Sequence, residues 1–457
     1  MVSIGLRGVT SPCRSLPRVS RMAFSQAPSR EVSAQWLQQL LERNGEPPRL
    51  YAWTPGNLSG TSTRACQPDK EKHAHDDELE RRRIYVLGVG NLGRLFASSL
   101  AKQARRPPIT LVVHRKELLE QWVSNPGIEM MRLGESEKLT EFDIEWWTDQ
   151  KPLVGSLKEP AFGSRITNLI VSTKASDCMP QVDKVRRYLG GTSTIAFVQN
   201  GMCKLWPPSG DAYVEARFPQ GSGPNWIACV TTHGVTSLGP FRSMHASLAN
   251  VLVGHVMVNN RGASEEDYLL EQIVAAPGLA GRQITRRELW IAQLEKLVVN
   301  SIINPLTTIL RCKNGDVFVE QDDSLPLIIN SLVDEASLVL RGLVLDPSTD
   351  DILRDGKSAP PRTIRAEVLE RFSSSRLRAM LYEVAAKVSE NTSSMLQDAR
   401  AGRETEINEF NGWLLETAKY LDLGPALPTN EKLISLVKNK ATLRRNELHG
   451  HFQGSGR

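Results

Sequence analysis

Two hydrophobic patterns follow one another along the chain, and the change between them falls near residue 286. Between residues 83 and 276, short apolar runs typical of buried strands alternate with helical stretches; the runs that precede motifs are 84–87, 109–113, 169–173 and 194–198. After residue 286, apolar residues recur at helical spacing, as in 325–345, 364–388 and 407–421. The pattern predicts an N-terminal Rossmann-type doubly wound α/β domain followed by a C-terminal all-α helical domain, with an active-site cleft between them.

A glycine motif directly follows the first apolar run. Gly-Val-Gly-Asn-Leu-Gly occupies residues 88–93, and a helix is predicted from Leu92 to about Lys102. In this setting the first glycine permits a tight turn, the second lets a pyrophosphate approach the backbone, and the third lets helix and strand pack closely. Free N–H groups at the helix start then bind the phosphates. We therefore predict a dinucleotide-binding loop formed by Gly88, Val89, Gly90, Asn91, Leu92 and Gly93.

The residues after the second strand favour one dinucleotide. An NAD site usually has an acidic residue at this position, for the ribose hydroxyls. Here the strand ends in His114-Arg115-Lys116, and the first carboxylate is Glu117. Because arginine can bind a 2′-phosphate through two hydrogen bonds, Arg115 favours NADPH over NADH. The alternative is an ordinary solvated basic turn.

A narrow polar stripe runs along an otherwise apolar helix near the start of the second half. Lys296, Asn300 and Asn304 are spaced four residues apart and share one helix face, within a segment rich in leucine, valine and isoleucine. Because burial of an unpaired amide or ammonium is costly, the stripe is expected to face a polar cavity. Pro305 is expected to kink or end the helix. The alternative is a structural lysine with capping or core asparagines.

With these segments in view, the chain resembles the ketopantoate reductases (2-dehydropantoate 2-reductases) from about residue 83 to about residue 440. The matching segments are 86–93, 172–175, 199–202, 231–234, 288–290, 296–307, 312–315, 391–398 and 405–412. The Lys–Asn–Asn–Pro segment and the Ser-Ser-Met-Leu-Gln-Asp segment at 393–398 are specific, whereas the glycine motif alone is not.

The resemblance implies NADPH-dependent reduction of the C2 keto group of ketopantoate to D-pantoate, for pantothenate and coenzyme A synthesis. It makes Lys296 the general acid, since an ammonium can stabilise the forming alkoxide and donate its proton. It implies substrate contacts by Asn300, Asn304, Asn314 and Ser394, and cofactor contacts by Lys174, Asn200 and Glu406. Cys203, Lys204 and a Pro/Gly-rich stretch at 206–224 depart from the family, so another branched 2-oxo acid is an alternative substrate.

Ser394 and Glu406 cannot meet the same small acid on one straight helix. Ser394-x-x-Gln397 has the form of a capping box, so Ser394 is expected to open a helix. Along an unbroken helix Glu406 would lie ~18 Å further on, at about 1.5 Å per residue. We therefore expect a chain break near Gly402, or a contact between Glu406 and the cofactor ribose.

The N-terminal segment lies outside the region of resemblance. Residues 1–30 contain five arginines and several serines, and no acidic residue precedes Glu31. This composition is typical of a mitochondrial transit peptide, with a cytoplasmic tail as the alternative. The predicted organisation is 1–80, an extension with a partly helical part (32–43) and a polar linker; 81–285, the NADP-binding domain; 286–445, the helical catalytic domain; and 446–457, a tail.

Composition argues against several other classes. The formal charge of +5 is spread over 457 residues and does not indicate nucleic-acid binding. The six scattered cysteines and the isolated His73-Ala74-His75-Asp76-Asp77 segment do not predict a metal site or disulfides. No apolar run reaches the ~18 residues of a membrane span.

The sequence leaves the oligomeric state open between monomer and homodimer. Rival functions are a non-catalytic NADP-binding organellar regulatory protein and a dehydrogenase of the hydroxy-acid or 6-phosphogluconate type.

Overall fold

Strand and helix bounds are taken from a computed structural model that describes residues 34–43, 45–58, 67–68, 76–259, 267–354, 361–424 and 427–452. The predicted transit peptide at 1–30 and the histidines of the 73–77 segment lie outside these ranges. The strands in the described residues are β1 (Tyr51–Trp53), β2 (Gln67–Pro68), β3 (Ile84–Leu87), β4 (Ile109–Val113), β5 (Ile128–Arg132), β6 (Glu135–Leu139), β7 (Asp143–Thr148), β8 (Ser156–Leu157), β9 (Asn168–Val171), β10 (Thr194–Phe197), β11 (Asn225–Thr231), β12 (Gly234–Gly239), β13 (Arg242–Ser247), β14 (Val251–Met257) and β15 (Gly281–Gln283).

The α-helices of the same residues follow in chain order. They are α1 (Gln35–Leu41), α2 (Asp76–Arg82), α3 (Asn91–Ala101), α4 (Lys116–Ser124), α5 (Ala175–Val185), α6 (Ser209–Arg217), α7 (Tyr268–Ala275), α8 (Arg286–Leu310), α9 (Leu325–Leu345), α10 (Asp350–Arg354), α11 (Pro361–Arg371), α12 (Ser374–Lys387), α13 (Ser394–Arg400), α14 (Trp413–Tyr420), α15 (Pro428–Lys438) and α16 (Arg445–Phe452).

A nine-stranded sheet in the order β1-β7-β4-β3-β9-β10-β11-β14-β15 forms the centre of the α/β half. Strands β7 through β11 in this order are parallel, and β1 and β14 pair antiparallel with β7 and β11. Every residue of β3, β4, β9 and β10 is buried, as expected for parallel strands covered on both faces. The predicted α/β architecture is confirmed, and β3 and β4 have the predicted bounds.

A smaller sheet in the order β12-β13-β5-β6 lies beside the glycine-loop helix α3. It has antiparallel outer pairs and a parallel central pair, β13 with β5. Its position means that the hairpin of β12 and β13 can contact the glycine loop.

The C-terminal half is helical, as predicted. Helix α9 has the predicted bounds, whereas the 364–388 pattern is divided into α11 and α12, and the 407–421 pattern begins with a π-helical turn, Asn408–Gly412, before α14. One hydrophobic core continues from a face of the large sheet into these helices, from Leu87 on β3 to Trp290 on α8. This shared core joins the two halves.

Helix α8 does not end at Pro305, so the predicted end at this residue was wrong. The helix continues to Leu310. Proline cannot donate the backbone hydrogen bond that Ser301 O would accept in a regular helix. The buried side chain of Asn411 donates to this oxygen instead, with Nδ2 2.8 Å from Ser301 O. A side chain from a later turn therefore satisfies the carbonyl, and the helix continues.

The N-terminal extension contributes to the fold. The predicted helix at 32–43 is present as α1, and Leu37 and Leu40 are buried. β1, which was not predicted, pairs with β7 at Tyr51↔Thr148, Ala52↔Trp147 and Trp53↔Trp146. The extension therefore includes an edge strand of the large sheet.

Candidate active site

The glycine loop between β3 and α3 has the geometry that dinucleotide binding needs. Gly88 has φ +95°, and a Cβ there would lie 3.0 Å from Ser172 C and Thr173 N. A Cβ on Gly93 would overlap Gly88 O and Ser172 Oγ. At Gly90, the N-cap of α3, a Cβ would have only one ordinary contact, 3.9 Å from Ser172 O. The fold itself thus requires glycine at 88 and 93, whereas a glycine at 90 leaves room for a ligand on the loop.

Arg115 lies directly after β4, the strand next to β3 in the sheet. It is the N-cap residue of α4, and its side chain is exposed. Its neighbour Lys116 makes an i,i+4 ion pair with Glu120 at 3.4 Å. Arg115 is therefore accessible at the end of the strand where the ribose-binding residue of such folds lies.

Lys296 on α8 lies at the carboxyl ends of two adjacent parallel strands. Its Nζ donates to Asn200 Oδ1 at 2.9 Å and to Thr231 O at 2.6 Å. Asn200 follows β10, and Thr231 is the last residue of β11. Burial lowers the pKa of Lys296 to about 8, and the negative charge of Glu406 partly opposes this shift. The ammonium is thus held by neutral oxygens, with its acidity brought near the physiological range.

Glu406 joins this arrangement from the helical half. Burial raises the pKa of Glu406, while Lys174 and a hydrogen bond from Asn200 act in the opposite direction. Asn200 therefore donates through its nitrogen to Glu406 and accepts from Lys296 through its oxygen. These bonds fix the orientation of the amide.

Lys174, at the N-cap of α5 after β9, connects the two halves. Its Nζ lies 3.2 Å from Asp398 Oδ2 and also donates to the carbonyl of Glu404. Both partners belong to the segment of α13 and the turn that follows it. The predicted cofactor lysine thus holds the helical half against the edge of the sheet.

The helix breaks between Ser394 and Glu406, near Gly402, which is one of the two predicted alternatives. Helix α13 ends at Arg400, and Gly402 has φ +66°. The predicted capping box at Ser394 is wrong by one residue. Ser393 is the N-cap, and its hydroxyl accepts from Leu396 N at 3.2 Å. The same hydroxyl lies 2.7 Å from the Thr307 hydroxyl, which holds it in place. Ser394 is the first residue of the helix and is exposed.

The predicted substrate amides lie at two places. Asn300 is partly exposed and Asn304 is buried, one and two turns after Lys296 on α8. Asn314 accompanies the α13 segment, because its backbone N–H donates to Asn391 O at 3.0 Å. Its buried Oδ1 has no hydrogen-bond partner among the described residues, so this atom can accept from a ligand.

The structure thus brings Lys296, Asn200, Glu406 and Lys174 into one connected site. Residues that sequence reasoning missed are Thr231, whose main-chain oxygen leaves no side-chain signal, and Asp398, which lies inside a matching segment without a role assigned to it. Within the described ranges, no cluster of three or more His, Cys, Asp or Glu side chains could hold a metal ion. No helix of those ranges has the length and apolarity of a membrane span.

Comparison with known proteins agrees with this geometry. The family models described as ketopantoate reductase PanE/ApbA and ketopantoate reductase PanE/ApbA C terminal match residues 84–257 and 288–441. The chain belongs to the ketopantoate reductase family. It is therefore an oxidoreductase of that family, and the predicted resemblance is confirmed.

Two relatives show which members of this family the chain resembles, and one solved structure shares its fold. A ketoisovalerate reductase (BEA2) of Gibberella fujikuroi is 38% identical, over 90% of this chain and 97% of its own. A probable 2-dehydropantoate 2-reductase of Schizosaccharomyces pombe is 28% identical, over 80% of this chain and 98% of its own. A probable 2-dehydropantoate 2-reductase from Bacillus subtilis has a TM-score of 0.52 at 21% identity, over 78% of this chain and 99% of its own, a likeness of fold.

Proposed function

We propose that this protein uses NADPH to reduce the keto group of a short branched 2-oxo acid, with 2-ketoisovalerate as the first candidate. The observation that carries the proposal is the Lys296 ammonium, held by Asn200 and Thr231 at the carboxyl ends of β10 and β11. This is the place where open α/β folds bind their ligands.

The residues of the site suit carbonyl reduction. When bound, the cofactor supplies a hydride to the keto carbon. The keto oxygen then gains negative charge, which the Lys296 ammonium stabilises and neutralises by donating a proton. With a pKa of about 8, Lys296 is mostly protonated at neutral pH and is a stronger acid than an ordinary lysine. Asn200, fixed by Glu406, holds the ammonium at the carboxyl end of β10.

Several observations favour 2-ketoisovalerate over the predicted ketopantoate. The relative at 38% identity is a ketoisovalerate reductase, whereas the 2-dehydropantoate reductase reported above is 28% identical. The two acids differ by one hydroxymethyl group, which a site for 2-ketoisovalerate has no need to bind. The chain also departs from the family at Lys204. This residue lies beside the site, because it pairs at 3.3 Å with Glu409, one turn after Glu406.

The substrate proposal predicts an order of activities. With NADPH and a panel of 2-ketoisovalerate, ketopantoate and pyruvate, we expect the highest kcat/KM for 2-ketoisovalerate. Lys296→Ala should lower kcat by ~100- to 10,000-fold, the usual size of a general-acid effect, with little change in the Kd for NADPH. The absorbance of NADPH measures the rates. A preference for ketopantoate would restore the family reaction, and wild-type protein that binds NADPH but reduces no 2-oxo acid would favour the non-catalytic alternative.

The choice of NADPH predicts a selective effect at Arg115. Arg115→Ala should weaken NADPH by roughly 1.5–3 kcal/mol, the contribution of a charge-assisted hydrogen bond, and leave NADH nearly unchanged because NADH has no 2′-phosphate. Titration of intrinsic fluorescence gives the two dissociation constants. Lys116→Ala is the matched control for a change in local charge. Equal losses for the two cofactors in Arg115→Ala would overturn the assignment.

A further inference from the structure

Arg94, in the first turns of α3, carries a buried positive charge beside the glycine loop. Arg94 is only 5% exposed. Burial lowers the pKa of Arg94 to about 10, so the guanidinium keeps its charge at neutral pH. None of the functions assigned above uses this charge.

The guanidinium is fully hydrogen-bonded, but only to neutral oxygens. It donates to Gly90 O at 3.2 Å, to Gly239 O and Arg242 O at 2.6 Å each, to Asn91 Oδ1 at 3.0 Å and to Ser237 Oγ at 3.3 Å. No carboxylate of the described residues lies within 4 Å of it. Glu129 on β5, an acid of this small sheet, pairs with the Arg242 side chain at 2.9 Å.

Hydrogen bonding alone does not account for an arginine here. Carbonyl and hydroxyl oxygens satisfy the N–H groups, but they leave the net charge in place, and burial of an uncompensated charge is costly. Neutral side chains could tie the hairpin of β12 and β13 to the loop without that cost. The charge is therefore best explained by an anion that arrives from outside the chain.

The position of the charge identifies the anion. Nε of Arg94 bonds to Gly90, the loop residue at which a Cβ would have only one ordinary contact and where the N-terminus of α3 begins. Asn91 beside it is fixed on two sides, because its Nδ2 donates to Val235 O at 3.1 Å and its Oδ1 accepts from Ser243 at 3.2 Å. The loop is thus held rigid before any ligand binds, which lowers the entropic cost of binding.

We propose that Arg94 is the built-in counter-charge for the pyrophosphate of the cofactor and the positioning residue of the glycine loop. The proposal rests on the dinucleotide cofactor proposed above. It assigns to Arg94 a contribution to cofactor binding that is equal for NADPH and NADH, because the two cofactors have the same pyrophosphate. Arg115, in contrast, distinguishes them.

Ser237 offers a test that leaves Arg94 and its packing in place. Ser237 is exposed, and its hydroxyl accepts from Arg94, so Ser237→Asp places a carboxylate against the guanidinium. Ser237→Asn is the neutral control of the same size. We expect Ser237→Asp to raise the Kd for NADPH and NADH by the same factor, about tenfold, as one partly screened charge pair is lost. Ser237→Asn should keep both constants within about twofold of wild type.

Direct replacement of Arg94 completes the experiment. Arg94→Lys keeps the charge and should bind both cofactors more tightly than Arg94→Met, with circular dichroism and thermal unfolding as the check that each variant is folded. Folded Ser237→Asp protein with unchanged dissociation constants for the two cofactors would overturn the proposal. A loss of affinity confined to NADPH would overturn it too. Wild-type protein that binds neither cofactor would instead overturn the proposed function.

Discussion

At the scale of single residues, the acidity of Lys296 results from two opposing influences. Burial lowers its pKa to about 8, and the Glu406 carboxylate raises it. Asn200 lies between them and bonds to both. The acidity of the proton donor therefore depends on a carboxylate of its own helical half, and Asn200 of the α/β half links the two groups.

This link predicts a pH shift. Reduction requires the protonated lysine, so kcat should be constant below the pKa and fall as pH rises through about 8. Glu406→Gln removes the negative charge that favours the ammonium, so the pKa of Lys296 decreases and the fall in kcat moves to lower pH. The measurement is kcat against pH at saturating NADPH and substrate.

Glu404→Gln is the matched control for this shift. Glu404 is exposed, and its side chain is not among the groups that affect the pKa of Lys296. Its profile should coincide with wild type. A Glu406→Gln profile that coincides with wild type, or moves to higher pH, would contradict the linkage.

Side-chain chemistry explains which site residues could be predicted from the sequence. Lys296 places an ammonium on an otherwise apolar helix, so pattern and resemblance both identified it. Asn200 follows a strand and was identified by its matching segment. Thr231 acts through its main-chain oxygen, which any residue at the end of β11 would supply. The difference between Ser393 and Ser394 as cap was also hidden, because it depends on the Thr307 hydroxyl contributed by α8.

At the scale of elements, α8 depends on a side chain of a later helical turn. Asn411 Nδ2 bonds to Ser301 O, which Pro305 leaves without its usual donor, and also to Asn430 Oδ1 at 2.8 Å. Asn430 in turn donates to the buried Glu335 carboxylate at 2.7 Å. This network fixes the second half of α8, which contains Asn304.

A double-mutant cycle measures this compensation. Asn411→Ala should lower the free energy of unfolding by roughly 1–3 kcal/mol, the cost of a buried polar group left without its partner. In a Pro305→Ala background the restored N–H serves Ser301 O, so the same change should cost less, with a coupling of about 0.5 kcal/mol or more. Urea unfolding of the four proteins provides the values. Strictly additive losses would show that Asn411 does not replace the missing donor.

The continuation of α8 through Pro305 illustrates why element bounds escape local patterns. The apolar spacing predicts a helix on both sides of the proline, and the local rule predicts its end. The rule was overridden by Asn411, more than 100 residues away in the sequence. In contrast, β3, β4 and α9 have the predicted bounds because their own apolar residues decide them.

At the scale of the whole molecule, the extension before β3 is part of the folded unit. Leu37, Leu40 and Leu50 are buried in the same core as the helical half. Arg217 on α6 donates to Leu40 O and, at 3.1 Å, to Arg43 O. The extension thus packs against the 206–224 stretch, the segment in which the chain departs from the family.

Two truncations should distinguish residues 1–33 from the packed part of the extension, residues 34–58. A chain that begins at Ala34 should have the thermal midpoint of the full chain. A chain that begins at residue 59 loses four buried leucines, the three above and Leu58. Each contributes ~1.5–3 kcal/mol, so its free energy of unfolding should fall by roughly 6–12 kcal/mol. Thermal and urea unfolding of the three proteins decide this. Equal stability of the chains from 34 and 59 would show that the extension is dispensable.

The short strand β1 also affects how copies of this protein can associate. An open strand edge can template pairing with another chain. Here β1 covers Trp146, Trp147 and Thr148 of β7, and its own Ala52 N–H is taken by Lys158 O at 2.9 Å. A second molecule therefore finds few free main-chain groups along this margin. Self-assembly by continuation of the large sheet is disfavoured there, and pairing through this sheet would use the opposite margin at β15.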